Sequence, residues 1–184
     1  SDGGISIGAA VTLDDLAVHP YLDVYPAIKQ AIAGINSMQL QAQGTLGGEV
    51  CQRTRCWFYR NGKGLLATNA SSGANEYHAI LGNSGPAKFV NASRIAPALI
   101  ALDARLRVLG PHEEESLLPV SEFYRTPRQK EHREHVLESN QFVSHIVLPP
   151  IAGRTCATYE VRHGAGPDYP LSAAAAALKM DGFG

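Results

Sequence analysis

Cysteine is scarce: Cys51, Cys56 and Cys156 are the only three in 184 residues. So few, and an odd number, build no disulfide framework and suit a reducing compartment. The cytoplasm is the expected location, with the periplasm open only to a chain exported inside an assembled complex. Neither sign of charge dominates. Sixteen Lys and Arg against 17 Asp and Glu leave a net charge of −1, so no field is set up for nucleic acid or for an anionic membrane. The nearest thing to a basic block, Arg125 to Lys130, reads as solvated loop. Long apolar runs are missing too. Ile95–Leu102 and Ser172–Leu178 fall well short of the roughly 18 residues of a membrane span. Ser1-Asp2-Gly3-Gly4 is neither basic nor apolar, so no signal peptide is evident. Without one, the Asn-x-Ser sequons at Asn69 and Asn91 are expected to be chance occurrences.

What is present suits a globular chain. A hydrophobic fraction of 45% with 18% charged residues fills a core, and the length allows one domain or two small ones. Ile5 to Val11 reads as a buried strand, followed by Thr12, which caps a short helix stopped by Pro20. Tyr25, Ile28, Ile32 and Ile35 recur at helical spacing. Gln43 to Gly48 is too rich in glycine for a helix, and 62–85 is small, polar and aperiodic, an irregular surface segment. Ser93 caps a helix to about Leu102, with Pro97 in its first turns. Ala104 to Leu109 and Ser116 to Val120 form a hairpin with Glu113, Glu114 and Glu115 at its tip. The charged stretch Arg125 to Glu134 is a linker or an exposed helix. Phe142–Leu148 and Thr155–His163 are strands, and alanine-rich Leu171–Met180 fits either a helix or a tightly packed strand. Strands and helices mix without β-α-β alternation, so the fold class is α+β with mixed, mainly antiparallel sheet.

Candidate chemistry is sparse. Gly44-Thr45-Leu46-Gly47-Gly48 matches neither a Walker A loop nor G-x-G-x-x-G. Paired glycines let backbone approach a flat or charged ligand, and Thr45 offers a hydroxyl, while a tight bend is the plain alternative. Cys51 and Cys56 stand in C-x4-C spacing, but a metal site needs four ligands and only Cys156 and His78 remain to be recruited. The cysteines therefore read as small packed side chains. His132 and His135 lie among Glu and Arg and read as a solvated face. No G-x-S-x-G elbow occurs.

Five segments in order, "IGAAVTLDDLAVHPYL", "SMQLQAQGTLGGEVCQRTRCWFYRN", "EYHAILGN", "SRIAPALIALDARLRVLGP" and "DYPLSAAAAALKMDG", resemble the FAD-binding subunit of molybdenum hydroxylases. That is the xanthine dehydrogenase, carbon monoxide dehydrogenase and aldehyde oxidoreductase group. The resemblance implies a second FAD-binding α/β subdomain over 1–123, a linker over 124–140 and the beginning of an α+β C-terminal domain over 141–184. It places the preceding subdomain, whose glycine-rich loop holds the pyrophosphate, outside this sequence. It implies FAD as cofactor, with molybdenum cofactor and iron–sulfur clusters only on partner subunits, one large and one small, and neither nucleic acid nor membrane insertion. The implied function is electron transfer from iron–sulfur clusters through FAD to an external acceptor. No side chain is expected to be catalytic and no metal is expected on this chain.

Carried over residue by residue, Thr45, Leu46, Gly47 and Gly48 match the loop that lies against the flavin. Ile35 and Asn36 fall where the family makes further cofactor contacts, and Val143 where it packs near the ring. Four departures stand out. Glu49 replaces the usual Asn after the paired glycines. Arg94 replaces Asp in Ser-Asp-Leu, Glu160 aligns with a lysine of some relatives, and Gln39-Leu40-Gln41-Ala42 stands for "QIRN". Glu49 and Arg94 join the expected cofactor set, with Arg94 able to offset the Glu49 charge by pairing. The extra four-iron cluster of some branches needs cysteines between Asn61 and Val90, which are absent. A second reading, a flavin-free structural or interaction module that keeps the fold, draws on Glu49, Arg94 and Glu160.

Overall fold

The computed structural model of the chain describes residues 3–66, 78–82, 84–166 and 168–180. In chain order the elements are β1 (Ile5–Gly8), α1 (Leu13–Val18), α2 (Pro26–Ala33), α3 (Met38–Gln43), α4 (Leu46–Val50), α5 (Trp57–Arg60) and α6 (Ala96–Ala101). There follow β2 (Arg105–Leu109), β3 (Glu115–Pro119), α7 (Val120–Phe123), β4 (Phe142–Leu148), β5 (Arg154–Val161) and β6 (Ser172–Lys179). This is the expected α+β class. Backbone contacts divide the chain into two compact units. The first comprises Ser1–Cys51, Ser93–Ser121 and Leu137–Gly184, the second Gln52–Ala92 and Glu122–Val136.

The first unit holds a four-stranded antiparallel sheet in the order β1-β4-β2-β3 and a separate hairpin, β5-β6. Strict alternation along Phe142–Leu148 puts Val143 and His145 on one face, yet Val143, Ile146 and Leu148 are the buried ones. A bulge explains it. Arg107 pairs with His145 and Val108 with Val143, so Ser144 is extra, and its hydroxyl donates to the Arg107 carbonyl at 3.2 Å.

Helix α2 opens with Pro26, whose missing N–H costs nothing at the first position, and buries Ala27, Ile28, Ala31 and Ile32. That stripe packs on β5, and α6 packs on β6 and α2. Burying each isoleucine contributes about 1.5–3 kcal/mol. Ser93 Oγ accepts the Ala96 amide at 3.1 Å, so the expected cap does open α6, with Pro97 in its first turn. Alanine-rich 172–179 is strand rather than helix, because every residue from Ser172 to Lys179 is paired with β5.

Two expectations are corrected. Leu46–Val50 is helical despite its two glycines, for reasons given below. The charged stretch 125–134 is neither regular helix nor wholly solvated, since its last residue, Glu134, is buried. Of the irregular segment 62–85, residues 67–77 and 83, and with them the Asn69 sequon, lie outside the described residues. No helix among the described residues is long and apolar enough to cross a membrane.

Candidate functional site

The GTLGG stretch is a capped helical turn, and its neighbours dictate that. Thr45 is extended (φ −111°, ψ 158°) and its Oγ1 accepts the Gly48 amide at 3.1 Å. The Leu46 amide donates to the Val11 carbonyl at 3.0 Å and the Gly47 amide to the Ala9 carbonyl at 2.8 Å. Low glycine propensity is thus overridden by tertiary hydrogen bonds that fix the first turn of α4. Gly47 is required by packing: a Cβ there would lie 2.7 Å from Ala9 Cβ. Gly48 is exposed, and its Cβ would meet only Thr45 Oγ1, at 3.0 Å. Every amide from Leu46 to Gly48 is therefore spent inside the protein. What the turn offers outward is the Thr45 hydroxyl proton and the bare surface of Gly48.

Glu49, on α4, is only 5% exposed, and its Oε1 accepts the Arg94 backbone amide at 2.7 Å. Arg94 therefore meets Glu49 through its main chain. Its guanidinium donates to the carbonyls of Gly34 and Asp168, and Tyr169 lies 5.1 Å from it with its ring beneath. Arg94 Nη1 is 3.9 Å from Glu160 Oε2, with both side chains buried. Arg162 donates to the same carboxylate oxygen, at 3.0 Å from Nε and 2.5 Å from Nη2, and also to the Gly34 carbonyl. Burial lowers the Arg94 pKa, Glu160 opposes that shift first, and an arginine so paired remains a cation. The two departures at positions 94 and 160 thus face each other, and Glu160 Oε1 is buried without a donor among the described residues.

These groups gather at the C-terminal end of α2. Gln41 Nε2 donates to the Ile35 carbonyl at 2.8 Å and the Ile32 carbonyl at 3.2 Å, so three side chains satisfy the carbonyls that the helix leaves open. Ile35 is buried. Asn36 is exposed and donates from Nδ2 to the Ala165 carbonyl at 3.2 Å. Val143 is buried on β4, and the next residue's carbonyl accepts the Ala9 amide at 2.8 Å.

The structure therefore brings Thr45 to Glu49, Ile35, Asn36 and Arg94 to one end of the first unit, with Val143 joined to it through Ser144, Ala9 and Gly47. Sequence reasoning missed Arg162 and Gln41. A signal for Arg162 existed: it stands two residues after Glu160 on an alternating strand, hence on the same face. Cys51 and Cys56 are half-buried and Cys156 is buried, and burial raises the Cys51 thiol pKa. Among the described residues no group of three or more His, Cys, Asp or Glu is placed to hold a metal ion.

Comparison with known proteins settles the kinship. Residues 1–151 match the family described as the FAD binding domain in molybdopterin dehydrogenase. The chain belongs to this family. The FAD-binding subunit PaoB of the Escherichia coli (strain K12) aldehyde oxidoreductase is 31% identical over 193 aligned residues, which cover 99% of this chain and 60% of that protein. The chain thus spans about 60% of the length of this relative.

As a member of the molybdopterin dehydrogenase FAD-binding family, the chain has FAD as its cofactor, and the residues present fit that group. The Thr45 hydroxyl and the Asn36 side chain lie at the surface, and Gly48 leaves room for a flat ligand. A hydroxyl donor suits a carbonyl oxygen of the flavin, and an amide carbonyl suits a ring N–H.

Proposed function

We propose that this chain is the FAD-binding part of an electron-transfer subunit in a molybdenum hydroxylase of the xanthine, aldehyde or carbon monoxide dehydrogenase type. Electrons then pass from iron–sulfur clusters on a small partner subunit, fed by the molybdenum cofactor of a large one, through FAD to an external acceptor. The match of residues 1–151 to the FAD-binding family carries this reading and favours it over a flavin-free module. In this reading 1–123 is the second FAD subdomain, 124–140 a linker and 141–184 the start of the C-terminal domain.

Bound FAD supplies the redox chemistry, and the protein supplies binding, orientation and electrostatics. The Thr45 hydroxyl would donate to a flavin oxygen, while Leu46 and Gly47 hold the turn down on Val11 and Ala9, just after β1. Gly48 gives the ring a surface without a side chain. Ile35 and Asn36 contribute backbone and an amide from the end of α2, and Val143 closes the apolar side. Arg94 brings positive charge, held in place by Gly34, Asp168 and Glu160. Glu49 acts through Arg94, fixing its main chain rather than opposing the cofactor. No residue here transfers a proton.

The visible absorption spectrum of the purified protein tests this. A flavin band that is retained on gel filtration and released on denaturation is expected, with Thr45→Val weakening retention. A colourless protein that takes up no FAD on reconstitution contradicts the proposal and leaves the flavin-free module. The native mass of the complex then shows whether molybdenum- and iron-containing partners are attached.

A further inference from the structure

Residues 162–171 join β5 to β6, a connection well beyond the roughly two to five residues of an ordinary hairpin loop. The Leu171 amide donates to the Val161 carbonyl at 2.8 Å, which closes the loop at its base. Further out it is fastened by residues of the flavin reading and of the ion cluster beside them. Asn36 Nδ2 donates to the Ala165 carbonyl at 3.2 Å. Arg94 donates to the Asp168 carbonyl, with its guanidinium carbon 5.1 Å from the centre of the Tyr169 ring. Arg162, the first residue of the loop, is held by Glu160 Oε2 and by the Gly34 carbonyl.

The end of α2 is shaped for these fastenings. A Cβ at Gly34 would lie 2.7 Å from Arg162 Nη2 and 2.8 Å from Glu160 Oε2, so only a bare residue lets both arginines reach its carbonyl. Burial does not explain the course of the loop, because 163–166 are all exposed. Exposed backbone of this kind is ordinarily among the least stable parts of a fold. Here two anchored arginines hold it against Asn36, a side chain that is itself exposed. One exposed hydrogen bond adds little to stability, so its effect lies in what it orients. An amide whose Nδ2 is committed has its plane fixed, and it loses less freedom when a ligand N–H comes to its Oδ1.

We propose that the loop between β5 and β6 is a strap that holds the Asn36 amide ready for the flavin, with Arg162 and Arg94 as the positioning residues that keep it in place. This rests on the flavin reading above and deepens it. Arg162 acts without touching the cofactor, since its donors go to Glu160 and Gly34. Arg94 has a wider reach. Glu49 accepts its backbone amide from the turn that carries Thr45, while its guanidinium joins the end of α2 to the strap. The turn, Asn36 and the strap are thus set relative to one another through one residue. Glu160 seats the near end of the strap by holding Arg162, and Arg94 seats the far end.

The test is a double-mutant cycle on FAD affinity in the flavin-stripped full chain, read by flavin fluorescence, with visible circular dichroism of the bound flavin alongside. Arg162→Gln and Asn36→Ala should each weaken FAD about fivefold, the size of one hydrogen bond. The double variant should bind no more weakly than Asn36→Ala alone, because the arginine acts through the amide. Arg162→Gln should also change the visible dichroism of bound FAD in the same direction as Asn36→Ala. An arginine that only stabilised the fold would leave that signal alone, and independent losses would multiply to about 25-fold. Should Arg162→Gln not fold, Tyr169→Leu takes its place in the cycle. It removes the ring against Arg94 and should weaken FAD about threefold. Losses that multiply, an unchanged dichroism signal, or a strap variant that binds like the wild type overturns the proposal and leaves the flavin reading intact. A wild-type chain that takes up no FAD overturns both.

Discussion

Two glutamates with buried side chains, Glu160 in the first unit and Glu134 in the second, each hold an arginine on one oxygen and leave the other without a donor among the described residues. They differ in what the arginines do next. Around Glu160, Arg94 and Arg162 turn their remaining donors into the Gly34 and Asp168 carbonyls, so the cluster closes on itself and ties β5 to the end of α2. Beside Glu134, the Arg53 side chain stands half in solvent, and its terminal nitrogens have no ion-pair partner among the described residues. The same residue pair makes a structural bolt in one place and an open donor array in the other. The deciding factor is whether backbone carbonyls are within reach of the guanidinium.

Breaking the closed cluster should have the largest effect. Glu160→Ala removes the carboxylate shared by buried Arg94 and half-buried Arg162 and should cost about 3 kcal/mol by denaturant unfolding. A loss near zero would mean the cluster is solvated. In the same unit, Gly47→Ala drives a methyl against Ala9 and should cost about 1–3 kcal/mol, with loss of FAD retention. Thr45→Val removes the α4 cap for about 1 kcal/mol. By contrast, Arg53→Ala in the open array should cost only about 0–1 kcal/mol, because the arginine is half in solvent. If it proves as costly as Glu160→Ala, the contrast between the two sites is wrong.

The smallest effect concerns acid. His135 stacks on Phe123 at 5.4 Å, and burial depresses its pKa, with Glu134 opposing and Arg133, Arg53 and Arg125 reinforcing the shift. The unfolded chain therefore takes up a proton that the folded chain resists. Stability is full above the unfolded histidine value of about 6.5 and falls as pH drops below it. His135→Phe should flatten that limb of the pH–stability curve, and an unchanged slope between about pH 6.5 and 5 would contradict the assignment.

Much of this was legible from local pattern, and the exceptions have one cause. Phe142–Leu148 has the boundaries its β-branched run announces, and Ser93 caps the helix it precedes. The Ser144 bulge was not legible, because it depends on β2 as a partner. Leu46–Val50 reads as a glycine loop until Val11 and Ala9 supply the carbonyls that make it a helix. Glu134 reads as part of a solvated run because Arg53 and Thr54, which bury it, are some 80 residues away. At the site, the loop Thr45 to Gly48 was singled out by its motif, but its capped helical turn was not foreseen. The departures at 94 and 160 looked like separate losses, and only the fold puts them in one cluster.

The central claim is that a family member with Glu49, Arg94 and Glu160 at these positions still binds FAD. Equilibrium titration of the flavin-stripped protein with FAD, read by quenching of flavin fluorescence, tests it most directly. Saturable binding with one flavin per chain, weakened by Thr45→Val and by Glu160→Ala under conditions where both remain folded, is the predicted result. No quenching by the folded wild-type protein at FAD concentrations well above micromolar would contradict it.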